Sequence, residues 1–159
     1  MDTTAILISQ YYAALAMLKE TIVACPDELW HHEDDENKFW QVAYHALFYT
    51  HLYLQPSEEA FEPWPGHRET YRLGVQDGAE PATKATVLAY LDFCRREAAK
   101  KVPTIVLDAP SGFDWLPFSK FELQLYSIRH VQQHVGELME RLGPRASELD
   151  WIGSSYAED

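Results

Sequence analysis

The chain has 159 residues and a formal net charge of −12, with 13 Lys and Arg against 25 Asp and Glu. Docking on nucleic acid or on an anionic membrane needs a basic face, and this balance argues against one. Hydrophobic residues make up 47% of the chain, enough for a single domain over residues 1–159 with one sizeable core and too many for a disordered chain.

The opening "MDTTAILISQ" has no basic segment and no small-residue cleavage site, so no signal peptide is expected. The longest apolar stretch, "FWQVAYHALFYTHLYL", is short and carries Gln41, His45, Thr50 and His51, so no membrane span is expected either. The expectation is a cytoplasmic protein. Cys25 and Cys94 lack a CxxC spacing and read as free thiols in a reducing compartment.

Ile6, Leu7, Tyr11, Leu15, Leu18 and Ile22 recur at spacings of three and four, which predicts a first helix over 3–24. Pro26 breaks it and opens a short turn of its own at "CPDELW". "HHEDDEN" follows as an acidic linker. A second helix over 38–54 is apolar almost all round and therefore belongs at the centre of the fold, and Pro56 stops it. Residues 55–80 hold Pro56, Pro63, Pro65, Gly66, Gly74 and Gly78 and read as a long loop with a helical turn near Arg68 to Arg72. Loops of that length in compact domains often carry function.

A third helix is predicted over 82–101, with Val87, Leu88, Leu91 and Cys94 facing inward. "VPTIVLDAPSGFDWLPF" is a second long loop, in which "TIVL" is expected to pair briefly as a strand. The fourth helix spans 119–142, with Phe121, Ile128, Val135 and Leu142 in a column of period seven and Leu125 and Met139 beside it. Gly143 and Pro144 end it, and an acidic, partly ordered tail follows. The fold class is all-α: a four-helix bundle with long loops between helices two and three and between three and four.

"SIRHVQQHVGEL" places His130 and His134 four apart, about 40° apart on one helical face. Two such imidazoles can share a metal ion, or can be two solvated histidines. His45, among Val42, Leu47 and Phe48 on the most apolar helix, is the best third ligand. It can equally satisfy itself on a tyrosine or a backbone carbonyl. Three histidines leave a coordination position open, as in catalytic sites, and imidazole does not select among zinc, nickel, copper and iron. Val131 follows His130 where a zincin has its glutamate, and the only Glu-x-x-His, Glu28 to His31, lies in a loop region. Zincin and di-iron readings therefore fail. His51 reads as a packing group and His67 as a loop surface residue, with a fourth-ligand or lid role open for His67.

The order of features is a first helix, "DELW", an acidic loop, Phe39-Trp40 with a helix carrying His45, and finally "RHVQQHVGEL". In this the chain resembles the DinB-like (DinB/YfiT-like) superfamily of metal-dependent enzymes. His130, His134 and Gly136 match the family's motif on the last helix, and His45 matches its ligand on the second. The resemblance implies an up-down-down-up bundle, frequently a homodimer. It implies a divalent ion, commonly nickel or zinc with iron or manganese as further choices, held by His45, His130 and His134. Characterised members include transferases and isomerases that use low-molecular-weight thiols.

The expected function is a metal-dependent transferase or hydrolase in which the ion activates a thiol or water toward a small-molecule substrate. Gln41 and Glu137 are candidates to support the ligands, and Arg129 to bind a substrate carboxylate. Tyr44, Tyr49, Tyr126 and Trp115 are candidate pocket walls, and no catalytic acid or base is assigned. The alternatives are a non-enzymatic metal-binding or stress-related interaction protein and a bundle with a vestigial site. A homodimer is expected from the surplus of apolar and aromatic side chains on the first and third helices, such as Tyr11, Tyr12, Tyr90 and Phe93.

Overall fold

Asp2 starts the first helix, α1 (Thr3–Ala24), by accepting the Ala5 N–H on its carboxylate at 3.0 Å. Cys25 leaves in extended geometry, and Pro26 leads into the one-turn α2 (Asp27–Trp30). The central helix α3 (Phe39–Tyr53) is capped by Gln41, whose side-chain oxygen accepts the Lys38 N–H at 2.8 Å. Thr83 caps α4 (Lys84–Lys101) and Ser119 caps α5 (Lys120–Leu142), each through its hydroxyl. Gly143, at φ 59°, closes α5. These elements come from a computed structural model that describes residues 1–69, 71–75 and 80–155.

The described residues are all-helical, with short 3-10 turns after α4 and α5 and no strand. α1 and α3 each pack against both α4 and α5. α3 is buried at every position but His45 and Tyr49. Polar groups in this interior are paired, as burial demands. The Tyr11 hydroxyl donates to the Gln124 side-chain oxygen at 2.8 Å, and the Gln124 amide donates to the Tyr53 carbonyl at 3.3 Å, which joins α1, α5 and α3. No described helix is long and apolar enough to cross a membrane.

The segment after α3 folds back over that helix. Trp64 stacks on Tyr90 at 4.7 Å and Tyr71 stacks on Phe48 at 3.7 Å. The Tyr44 hydroxyl accepts the Arg68 N–H at 2.8 Å. No helix occurs among the described residues near Arg68 to Arg72; Thr70 lies outside them, as does Gly78. The second loop crosses under Pro56 at Gly112, where φ is 84° and a Cβ would stand 1.9 Å from the Pro56 oxygen, so only glycine fits.

Two expectations need correction. "TIVL" forms no strand: Thr104 ends a 3-10 turn, and only the backbone from Leu107 onward pairs with the start of α5, through Phe121 N–H to Leu107 O at 2.8 Å. The period-seven column holds only at its C-terminal end: Val135 and Leu142 are buried and Ile128 is partly buried, but the buried face runs through Leu123, Gln124, Ser127, Val131, His134, Val135, Leu138 and Leu142, while Phe121 and Leu125 are exposed. A column of period seven drifts about 20° per repeat on a straight helix, which carries Phe121 out of the core. Among the described residues, the tail is tied to α1 at Gly153, whose carbonyl accepts from the Gln10 side chain at 3.0 Å.

Replacing Tyr44 by Phe removes the acceptor for Arg68 N–H but leaves the ring. The variant should lose about 1–2 kcal/mol in urea unfolding, with loop 64–69 gaining amide hydrogen exchange. Unchanged exchange there would show that the Trp64 and Tyr71 stacks hold the loop without it.

Candidate metal centre

His45 is one of the two half-buried positions of α3, and α5 brings His130 and His134, one turn apart, against it. Nε2 of His130 lies 3.2 Å from Nε2 of His45 and 3.2 Å from Nε2 of His134. Among the described residues no other set of three His, Cys, Asp or Glu side chains converges in this way.

The outer nitrogens decide what the inner ones present. Nδ1 of His45 lies 2.8 Å from the Tyr71 carbonyl oxygen, which can only accept, so this nitrogen carries the hydrogen. Nδ1 of His134 lies 3.0 Å from Oε2 of Glu137, with the same consequence. Both Nε2 atoms therefore offer lone pairs toward one point. His130 lies between them with its own Nδ1 buried and without a hydrogen-bond partner. A single N–H on His130 can satisfy only one of the two lone pairs well. A cation satisfies all three rings at once. Ligand nitrogens on a tetrahedral zinc at about 2.0–2.1 Å stand about 3.3 Å apart, close to the spacing here. The residues thus fit a divalent ion bound through three Nε2 atoms.

Burial depresses the basicity of His45 and His130. It holds His45 down at about 4, against a smaller upward pull from its bond to Tyr71. Burial, reinforced by the neighbouring His134 and His45, takes His130 to about 3. Neutral imidazole is the form that binds metal, so these two rings are held in their ligating state at neutral pH.

Glu137 has a second partner. Its Oε1 accepts from Nη2 of Arg141 at 2.5 Å, and Nη1 of Arg141 donates to the Asn37 carbonyl at 2.7 Å. The rings around the trio are aromatic: Tyr49 packs 4.8 Å from His45 and 5.6 Å from His130, and Tyr126 lies parallel to His130 at 6.4 Å. A cavity of about 270 Å³ adjoins them, lined by Phe48, Tyr49, Phe61, Tyr71 and Trp115 with Glu58, His67, Glu69 and Arg72.

The sequence-derived candidates divide accordingly. His45, His130, His134 and Glu137 are brought together. Gln41 is committed to the α3 cap. Arg129 is exposed, lies over Tyr126, and lines a groove between α1 and α5. Tyr44 points at the Arg68 backbone and Tyr90. His51 lies 3.2 Å from the Tyr90 hydroxyl among Phe61 and Phe93. His67 is near Glu69 at 3.4 Å, in the cavity wall and apart from the trio. The sequence reading missed the Tyr71 carbonyl, Arg141 and Asn37. The spacing of Glu137 and Arg141, four apart on a helix, was a signal for the second of these; a loop carbonyl leaves none.

Compared with known proteins, the chain matches no family model, no curated protein and no solved structure.

The depressed histidines make stability depend on pH. The unfolded rings take up protons near pH 6.5 while His45, His51 and His130 in the fold stay neutral until about 4, 4 and 3. Their contribution is complete above pH 6.5 and is lost as pH falls toward those values. Each should cost roughly 2 kcal/mol between pH 7.5 and 5. Together the three should make the metal-free protein melt roughly 15–20 °C lower at pH 5 than at pH 7.5, read by circular dichroism. Equal melting temperatures would mean that the rings are hydrated and not buried neutral.

Proposed function

We propose that this chain is a metal-dependent enzyme on a four-helix bundle, with His45, His130 and His134 holding one divalent ion, nickel or zinc. The observation that carries the reading is the convergence of three Nε2 atoms with two outer nitrogens turned onto acceptors. The resemblance of "RHVQQHVGEL" and of His45 to DinB-like enzymes points the same way. A bound ion with three protein ligands keeps a position for a thiol or water and lowers its pKa, which makes a nucleophile at neutral pH.

The chain's own side chains supply the rest. Glu137 has both oxygens engaged, one by His134 and one by Arg141, so it orients a ligand and is not free as a general base. Tyr49 and Tyr71 belong both to the surroundings of the histidines and to the adjoining cavity wall. A small organic electrophile on those aromatic faces would lie beside the nucleophile, with a low-molecular-weight thiol as co-substrate. This is a transferase or hydrolase geometry.

Metal-stripped protein titrated with zinc or nickel by calorimetry should bind one ion per chain at pH 7.5. Affinity should fall steeply toward pH 5, because protons compete for the ligands. His134→Ala should weaken binding by roughly a hundredfold or more and flatten the pH dependence, while His67→Ala should change neither. Binding that is equal in wild type and His134→Ala would place the ion elsewhere. Activity is tested separately, by turnover of thiols with a panel of electrophiles on the loaded protein.

The homodimer stays part of the proposal, on a different surface. Tyr11, Tyr12 and Tyr90 are spent inside the chain, so they do not argue for an interface. Ile6, Phe121, Leu125 and Trp151 are exposed around the α1–α5 groove instead. Such a patch is unusual on a monomer. Sedimentation should return a dimer for wild type and a monomer for Leu125→Glu; a monomeric wild type would refute it.

A further inference from the structure

We propose that Asn37, at the end of the acidic "HHEDDEN" linker, is the positioning residue of the histidine centre: it holds the outer partners of His45 and His134 in one register. This rests on the metal-centre reading and concerns how that centre is kept in shape.

Two of the three imidazoles are oriented from outside, one by a backbone carbonyl of Tyr71 and one by the Glu137 carboxylate. These partners come from different parts of the chain, a loop and α5, and neither fixes the other. Each, however, leads to Asn37. Three residues past Tyr71, the Gly74 N–H donates to Oδ1 of Asn37 at 2.6 Å. Gly74 has φ 75°, a left-handed turn conformation that favours glycine. On the other side, the Asn37 backbone carbonyl accepts from Nη1 of Arg141, whose Nη2 holds Glu137. One residue thus ties the Tyr71 turn with its side chain and the Arg141–Glu137–His134 chain with its backbone.

For such a tie to orient anything it must itself be fixed. Lys38, next in sequence and buried, provides that. Its ammonium donates to the carbonyls of His32, Glu33 and Asp35 at 3.0, 2.7 and 2.7 Å. The acidic linker is wound round an internal cation of its own chain, and Gln41 anchors the Lys38 N–H to α3. Asp35 adds its carboxylate 3.8 Å from Arg141. This gives a use to a stretch that the sequence alone marks as an acidic linker: its backbone carbonyls are used on Lys38, and its position serves His45 and His134.

The chemical consequence is preorganisation. Partners of this kind set the tautomer and direction of a ligating imidazole, and their loss typically lowers metal affinity by about ten- to a hundredfold. Asn37→Ala removes the side-chain tie to Gly74 and frees the residue to shift under Arg141. Asn37→Asp keeps an acceptor at the same place.

The test uses the full chain in two states. In metal-free protein, imidazole nitrogen NMR reads the tautomers of His45 and His134. Wild type and Asn37→Asp should show both as the Nδ1–H form, and Asn37→Ala should show mixed tautomers at both. In competition with a chelator, Asn37→Ala should bind zinc about ten- to a hundredfold more weakly, with Asn37→Asp within about threefold of wild type, and its cobalt(II) visible spectrum should broaden. Melting curves show whether the variants fold; Arg141→Lys, which shortens the second tie and leaves Asn37 intact, should disturb His134 alone. An Asn37→Ala protein with both tautomers and zinc affinity unchanged overturns the inference, as does one in which only His45 responds. A wild type with both tautomers fixed that binds no metal would instead sink the metal-dependent function and leave the positioning role of Asn37 standing.

Discussion

Lone pairs aimed at one buried point repel each other, and this fold holds two or three of them together. His45 and His134 cannot turn their Nε2 atoms into acceptable donors, because the hydrogens are claimed on the far side by Tyr71 and Glu137. His130 cannot relieve them by protonation at neutral pH, because burial and its two neighbours keep it neutral. The arrangement costs free energy that a bound cation would return. The rest of the molecule can be understood as what keeps these rings from relaxing.

The central helix does most of that. Thirteen of the fifteen residues of α3 are buried, and the two that are not, His45 and Tyr49, face the centre. A helix so fully packed cannot rotate to spare one histidine. α5 is fixed by a different means, a strongly one-sided face whose buried run includes His134. With both helices locked, the loop after α3 closes over the top, where Tyr71 stacks on Phe48 at 3.7 Å and lends its carbonyl to His45. Aromatic stacking thereby positions a polar group that a mobile loop would not hold.

What could be read from the sequence follows from the range of the interactions. Helix ends were legible because they are local: Asp2, Thr83, Ser119 and Gly143 sit at the caps that their side chains or φ angles favour. The three histidines were legible because one pair is a helical spacing and the third is a polar ring in an apolar helix. The N-terminal half of the α5 face was misread, since a repeat of seven drifts by about 60° on a helix of 3.6 residues per turn over the three repeats, roughly six turns, between Phe121 and Leu142. The "TIVL" strand was misread because β-branched residues favour strands only where a partner edge exists, and here the chain turns through a 3-10 segment into a pairing with α5. Tyr11, Tyr12 and Tyr90 looked like surplus surface because periodicity does not show that α1 and α4 each touch two neighbours.

The ligands are unequal, and the inequality bears on how such a centre would work. Of their outer nitrogens, one meets a carboxylate, one a neutral carbonyl and one, on His130, no hydrogen-bond partner at all. A carboxylate raises the electron density of its imidazole, a carbonyl does so less, and an unpartnered N–H not at all. Metal binding through Nε2 obliges His130 to carry its hydrogen on the buried, unpartnered Nδ1, at a cost of about 1–3 kcal/mol. In a metal centre His130 would therefore be the weakest of the three ligands, although it occupies the middle of the trio. It is also the ring on which Tyr49 and Tyr126 both pack, so that on its outer side aromatic surface, and not a hydrogen bond, holds it in place. With Nε2 given to an ion, such a ring could tilt at little cost in outer hydrogen bonding, and the coordination sphere would adjust on the side nearest those tyrosines while His45 and His134 stayed anchored.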